Sequence, residues 1–169
     1  MAAGATYTPI ATTTLVSAQA SVTFSSISGS YTDLVLISNT GIASGVDKGI
    51  YMTVGNGSVD TGNNYSNTFF YSDGSGSNYT STRTDINYAN TMRTSNSLIA
   101  SGVVHLMNYS NTTTYKTIFT KGNNTNGILV ALINLWRSTS AINIITMVSE
   151  DGSNFLAGST FTLYGIAAA

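Results

Sequence analysis

The chain has no cysteine, a single proline (Pro9), a single histidine (His105), six basic and seven acidic residues among 169. Each scarcity removes a class of reading. Without cysteine there is no disulfide framework and no thiolate chemistry, and the redox compartment leaves no trace. Catalysis needs titratable groups that can be tuned for proton transfer or metal binding, and few are present, so the composition argues against an enzyme. The basic residues Lys48, Arg83, Arg93, Lys116, Lys121 and Arg137 are scattered. Neutralising phosphates takes clustered cations, so neither nucleic acid nor an anionic membrane surface is an expected partner. The longest apolar run, residues 128–136, is broken by Asn134 and falls short of the ~18 residues of a membrane span. Residues 1–7 carry neither the basic nor the apolar region of a signal peptide.

Charged residues make up 8% of the chain, far below the ~25% of an ordinary soluble domain. Disorder usually accompanies high charge and few aromatics. Here ten Tyr and six Phe argue for a packed core. A net charge of −1 gives little repulsion between copies, which suits a protein that works inside an assembly.

What fills the space is Ser, Thr, Asn and Gly around short segments of β-branched and aromatic residues. Period-two alternation predicts strands near residues 11–16, 21–27, 31–38, 49–54, 65–71, 99–109, 114–120, 128–137, 142–148 and 159–166. Gly-Asn-Gly at 55–57, Asp-Gly-Ser-Gly at 73–76 and Asp-Gly at 151–152 read as turns between them. Residues 34–37 are apolar on both faces, as in a central strand. Residues 72–97 read as a long excursion with one short strand near 79–84. Thr and Asn are poor helix formers, and no helical period appears. Strands at roughly ten-residue spacing predict an all-β antiparallel β-sandwich or jelly roll. It forms a single domain over residues 11–169, preceded by an extended N-terminal arm over residues 1–10.

Few residues stand out as candidate chemistry. His105 lies mid-strand, where structural roles are the rule. Asp73 and Asp151 precede glycines and serve turns; Glu150 and Asp151 are the one adjacent acidic pair and the one place to look for calcium. Gly55-x-Gly57 lacks the Lys-Ser/Thr and helix of a phosphate loop. The sequons at Asn64, Asn78, Asn108 and Asn111 are expected by chance in such a composition. Residues 63–79 combine aromatics with amides, a composition able to stack sugar rings and bond hydroxyls, with Tyr65, Tyr71 and Tyr79 as candidate glycan contacts. Trp136, the only tryptophan, ends the most apolar strand and is expected in the core or an interface.

Two stretches resemble a known group. Ala11-Thr12-Thr13-Thr14-Leu15, running into Ala20-Ser21-Val22-Thr23-Phe24-Ser25-Ser26-Ile27 and Tyr31-Thr32-Asp33-Leu34, is the first. Asp151-Gly152-Ser153-Asn154-Phe155-Leu156-Ala157-Gly158-Ser159-Thr160-Phe161-Thr162-Leu163-Tyr164-Gly165-Ile166 is the second. Together they resemble the jelly-roll structural domains of tailed bacteriophages, cyanophages in particular. These occur as capsid decoration (cement) proteins and in tail or head fibres. The segment from 42 to 126 carries little of the likeness, and the motifs bring no catalytic residues and no cofactor. A one-domain chain starting at Met1 is expected to be a cement protein rather than a fibre tip. The resemblance then implies a homotrimer on the outer capsid surface of the virion, bound to the major capsid protein and joining capsomers, with Tyr7, Pro9, Ile10 and Trp136 as candidate capsid or subunit contacts. The alternative is a receptor- or carbohydrate-binding domain of a fibre or spike, for which a host-surface glycan is the partner.

Overall fold

Among the described residues the chain forms thirteen strands and no helix. The computed structural model describes residues 6–44, 46–94, 98–124 and 127–167. In chain order the strands are β1 (Tyr7–Thr14), β2 (Ser21–Phe24), β3 (Asp33–Thr40), β4 (Lys48–Asn56), β5 (Ser58–Val59), β6 (Tyr65–Ser72) and β7 (Asn78–Ile86). The second half adds β8 (Ala89–Thr94), β9 (Ala100–Met107), β10 (Lys116–Asn123), β11 (Leu129–Trp136), β12 (Ile144–Ser149) and β13 (Thr160–Ile166).

They form the expected antiparallel sandwich. An eight-stranded sheet runs β1-β13-β3-β9-β10-β11-β6-β7, and a five-stranded sheet runs β2-β12-β4-β5, with β8 also paired to β4. The inner faces make one core. Val22 and Phe24 point inward from β2, Leu34 and Leu36 from β3, Val104 and Leu106 from β9, and Phe161 and Leu163 from β13. Phe161 meets Phe155 edge-on at 5.1 Å.

Three local solutions place the site. Gly102 and Gly122 face each other across β9 and β10, leaving a notch that Met92 of β8 fills. A Cβ on Gly102 would stand 2.6 Å from the Met92 sulfur, and one on Gly122 3.0 Å from its Cβ. Asn134, the polar break in β11, is fully buried and bonds both sides of the Asn90 peptide: its Oδ1 accepts from Asn90 N and its Nδ2 donates to Asn90 O, each at 2.9 Å. Thr91 Oγ1 donates to Ile50 O at 2.8 Å. Together these seat β8 close over β9, β10, β11 and β6, while β7, exposed along most of its length, projects beyond it.

Two expectations about local structure are corrected. Tyr7, Thr8, Pro9 and Ile10 are not an arm but the start of edge strand β1, paired with β13, with a bulge between Pro9 and Ala11. An edge strand tolerates a proline that donates no ladder hydrogen bond. Residues 1–5, the rest of the expected arm, lie outside the described residues. Residues 72–97, expected as an excursion with one short strand, hold the end of β6 and two strands, β7 and β8. Both faces of β7 are largely exposed, so nothing forces the apolar alternation by which a strand is read.

Candidate functional site

Where β8 ends and β6 and β7 continue, the inner face of the large sheet is left as a cleft open to solvent. Phe69, Tyr71, Val130 and Leu132 from β6 and β11 form its floor. Tyr51, Asn90, Met92 and Arg93 from β4 and β8 form one wall, Arg83 of β7 contributes from the projecting edge, and Glu150 lines it from the turn after β12. The hairpin joining β6 to β7 is closed by Asp73, whose Oδ1 accepts from Ser75 N at 2.9 Å and Ser75 Oγ at 2.7 Å. Asp73 is held below the usual carboxylate range by those bonds.

The cleft's polar groups are fixed by one another. The Arg83 guanidinium lies 5.7 Å from the Phe69 ring centre and donates to Tyr88 Oη at 3.3 Å. The Arg93 guanidinium lies 5.7 Å from the Tyr71 ring centre and its Nη2 donates to Asp47 O at 3.1 Å, while its buried Nε has no acceptor. Cation–π contacts of this kind orient an arginine without neutralising it. Among the described residues neither guanidinium is in an ion pair; the pairs are His105–Asp33 and Arg137–Asp85. Tyr51 stacks flat on Tyr88, centroids 3.6 Å apart. Burial first, then the Tyr88 hydroxyl and the Glu150 carboxylate, push the Tyr51 phenol far above its ordinary value. It therefore stays protonated and able to donate. Glu150 Oε2 accepts from Gly49 N at 2.8 Å. The result is a half-open groove with apolar ring surface, two available cations, one carboxylate, and amide and phenol hydrogen-bonding groups. Glu150 is the only carboxylate among its described lining residues.

The candidates from sequence divide. Tyr71 lines the cleft, and Tyr79, 64% exposed, meets it edge-on at 6.2 Å. Tyr65 does not belong with them and is withdrawn as a glycan contact. It is fully buried, its hydroxyl accepts from Val54 N at 3.0 Å, and the carbonyls of Val54 and Asp60 lie at 3.1 and 3.0 Å as acceptors; burial raises its pKa. Trp136 is likewise withdrawn as a surface contact. It is 2% exposed and its indole N–H donates to Asp60 Oδ2 at 2.8 Å. Of the remaining contact candidates, Tyr7 is exposed and packs edge-on against Tyr164 at 6.1 Å, Pro9 is exposed, and Ile10 packs against the core. His105 Nε2 lies 2.9 Å from Asp33 Oδ2, and Asp33 Oδ1 accepts from Asn108 N at 2.6 Å, a clamp at the end of β9. Glu150 and Asp151 turn to different partners: Asp151 takes hydrogen bonds from Ser44, Ser149 and Ser153, so they do not form a calcium pair. Tyr51, Arg83, Tyr88 and Arg93 escaped the sequence reading as site residues, and Glu150 entered it only as half of an acidic pair, because they come from separate strands and turns with no local pattern among them.

No protein-family profile matches the chain, and no curated protein matches its sequence. Among solved structures, toad ovary galectin in complex with thio-digalactose aligns over 86% of this chain and 98% of its own, at 13% identity and a TM-score of 0.39. CG-16, a homodimeric agglutinin from chicken liver, aligns over 83% and 98%, at 9% identity and a TM-score of 0.35. Likenesses this distant assign no ligand to the chain.

Proposed function

We propose that this is a non-catalytic binding protein whose cleft takes a carbohydrate. One observation carries the reading: Phe69 and Tyr71 share a solvent-open floor with Arg83, Arg93, Asn90 and Glu150. Ring surfaces suit the apolar C–H faces of a sugar, and charged or amide groups suit its hydroxyls. Most ligand sites combine an apolar lining with a few placed polar groups in this way. A glycan array followed by calorimetry on the best hit is the test. Tyr71→Ala and Arg83→Ala are each expected to weaken binding ~10-fold or more, which corresponds to ~1.4 kcal/mol. A folded wild-type protein that binds no glycan at millimolar concentration overturns the reading.

A second reading is a structural virion role: a decoration protein on the outer capsid surface, bound to the major capsid protein as a homotrimer. What favours it is that parts of the two stretches resembling phage jelly-roll domains, far apart in sequence, lie together as adjacent strands β1, β13 and β3, while residues 20–27 of the first supply β2 of the other sheet. Tyr7 and Pro9 at that edge are the outward side chains available for contact. Gel densitometry of purified virions tests it: copies comparable to the capsid protein support a lattice component, and absence from the particle removes it.

A further inference from the structure

The outer face of the eight-stranded sheet has the anatomy of an interface. The ladder registers set its side chains in rows across the strands. One row runs Ile37, Val103, Lys121, Ala131, Phe70, and the next runs Val35, His105, Phe119, Ile133, Thr68. These rows are apolar apart from Lys121, His105 and the terminal Thr68. The row beyond the first runs Asn39, Ser101, Asn123, Leu129, Ser72, polar but for Leu129. Ile133 is 54% exposed, Leu129 49%, Phe70 and Phe119 39% and Ile37 37%. Isolated exposed apolar residues are ordinary, but a contiguous patch with a polar rim marks an interaction surface.

We propose that a second copy of this chain covers this face. Three observations select that occupant. Eight strands ~4.8 Å apart and about eight residues long at ~3.3 Å each present roughly 1,000 Å², more than the ~800 Å² per partner of a standard interface. The face carries one cation, Lys121, and one carboxylate, Asp33, so it is balanced in charge and can meet its own kind. A net charge of −1 puts little repulsion between copies. Sheet-on-sheet packing of apolar faces is also the geometry by which the fold closes its own core. The proposal is independent of the glycan reading, since the cleft opens on the opposite face of the same sheet.

The experiment is light scattering on the eluting full-length protein at ~100 µM, compared with Ile133→Asp and Leu129→Asp. Wild type is expected at a mass of two or more chains, and each variant at the 17.7 kDa of one. Because both side chains are about half exposed, the variants are expected to keep wild-type circular dichroism, which separates lost association from lost folding. Monomeric wild-type protein overturns the proposal, and its co-sedimentation with phosphatidylcholine vesicles would assign the face to lipid instead. An oligomer untouched by either variant also overturns it.

Discussion

The inner face of the large sheet is sealed along one half and open along the other. On β3, β9 and β13, Leu34, Leu36, Leu106, Phe161 and Leu163 have no exposure at all. On β6 and β7 the same inward positions hold Phe69 and Tyr71 and, on β7, Arg83, Ser81 and Tyr79. Both halves obey the same two-residue period. What differs is whether the second sheet lies opposite. Where it does, burial favours aliphatic and phenyl groups, because an unpaired polar group there is costly, and the polar side chains that face inward on β3, Ser38 and Thr40, are small. Where it stops, side chains can keep a polar end in water, and a binding site becomes affordable. The sealed end carries stability, and the open end is where the proposed recognition has room.

The sharpest way to break that division is to truncate one aromatic at each end. Phe161→Ala removes a fully buried ring that packs on Phe155 and is expected to cost ~3–5 kcal/mol in a urea melt. Tyr71→Ala, at a half-buried position, is expected to cost under ~1 kcal/mol while abolishing most glycan affinity. Equal destabilisation by the two would mean that the open half is as much core as the sealed half.

A finer comparison uses two asparagines that stand directly opposite each other on β11 and β6, Asn134 and Asn67. Both are buried, but Asn134 bonds the Asn90 peptide on both sides whereas neither amide atom of Asn67 has a partner. Asn134→Ala leaves the part-buried N–H and carbonyl of Asn90 without their partner and is expected to cost ~2 kcal/mol or more, at ~1–3 kcal/mol per unsatisfied group. Asn67→Leu removes an unsatisfied amide and is expected to leave stability unchanged or raise it by ~1 kcal/mol. The measurement is the denaturation midpoint of each variant. A large loss at Asn67 would show that its amide has bonds in solution, and the boundary of the sealed half would move past β6.

The same division explains what could be read from the sequence. In the sealed half, alternation predicts β2, β9 and β13, and a run apolar on both faces predicts β3 as a central strand, since burial imposes these patterns residue by residue. The open half escapes. β7 lies at an edge, so Thr, Ser and Asn satisfy it on both faces and erase the period. β8 owes its place to the Gly102–Gly122 notch and to Asn134, contacts from strands far along the chain. The same holds for the site. Tyr71 and Tyr79 were visible as neighbours in an aromatic stretch. Tyr65, in that same stretch, is turned to the core, where backbone groups of Val54 and Asp60 satisfy its hydroxyl. Arg83, Arg93, Tyr51 and Glu150 meet only through the tertiary fold.

The smallest expected effect concerns acid. Asp60 sits at the seam, receiving hydrogen bonds from the Trp136 indole of the core and from Asn64 and Gly62 of the turn before β6. Burial works to raise its pKa, but those bonds outweigh it and hold the carboxyl below its ordinary value of 3.8. A group whose folded pKa is depressed stabilises the fold fully above its unfolded pKa, and that stability is lost as pH falls through the folded value. Wild-type stability is therefore expected to be flat near neutrality and to decline below roughly pH 4. Asp60→Asn should shift the whole curve down slightly and make its acid limb shallower. Asp151, also depressed by hydrogen bonds from Ser44, Ser153 and Ser149, anchors the turn beside Glu150 rather than the core. Asp151→Asn should likewise flatten the acid limb, but with a smaller drop at neutral pH. Thermal melts from pH 3 to 7 distinguish the two. A greater loss at neutral pH from Asp151→Asn than from Asp60→Asn would mean that the turn carrying Glu150 belongs to the cooperative core, and that the cleft's wall is as rigid as the sandwich it borders.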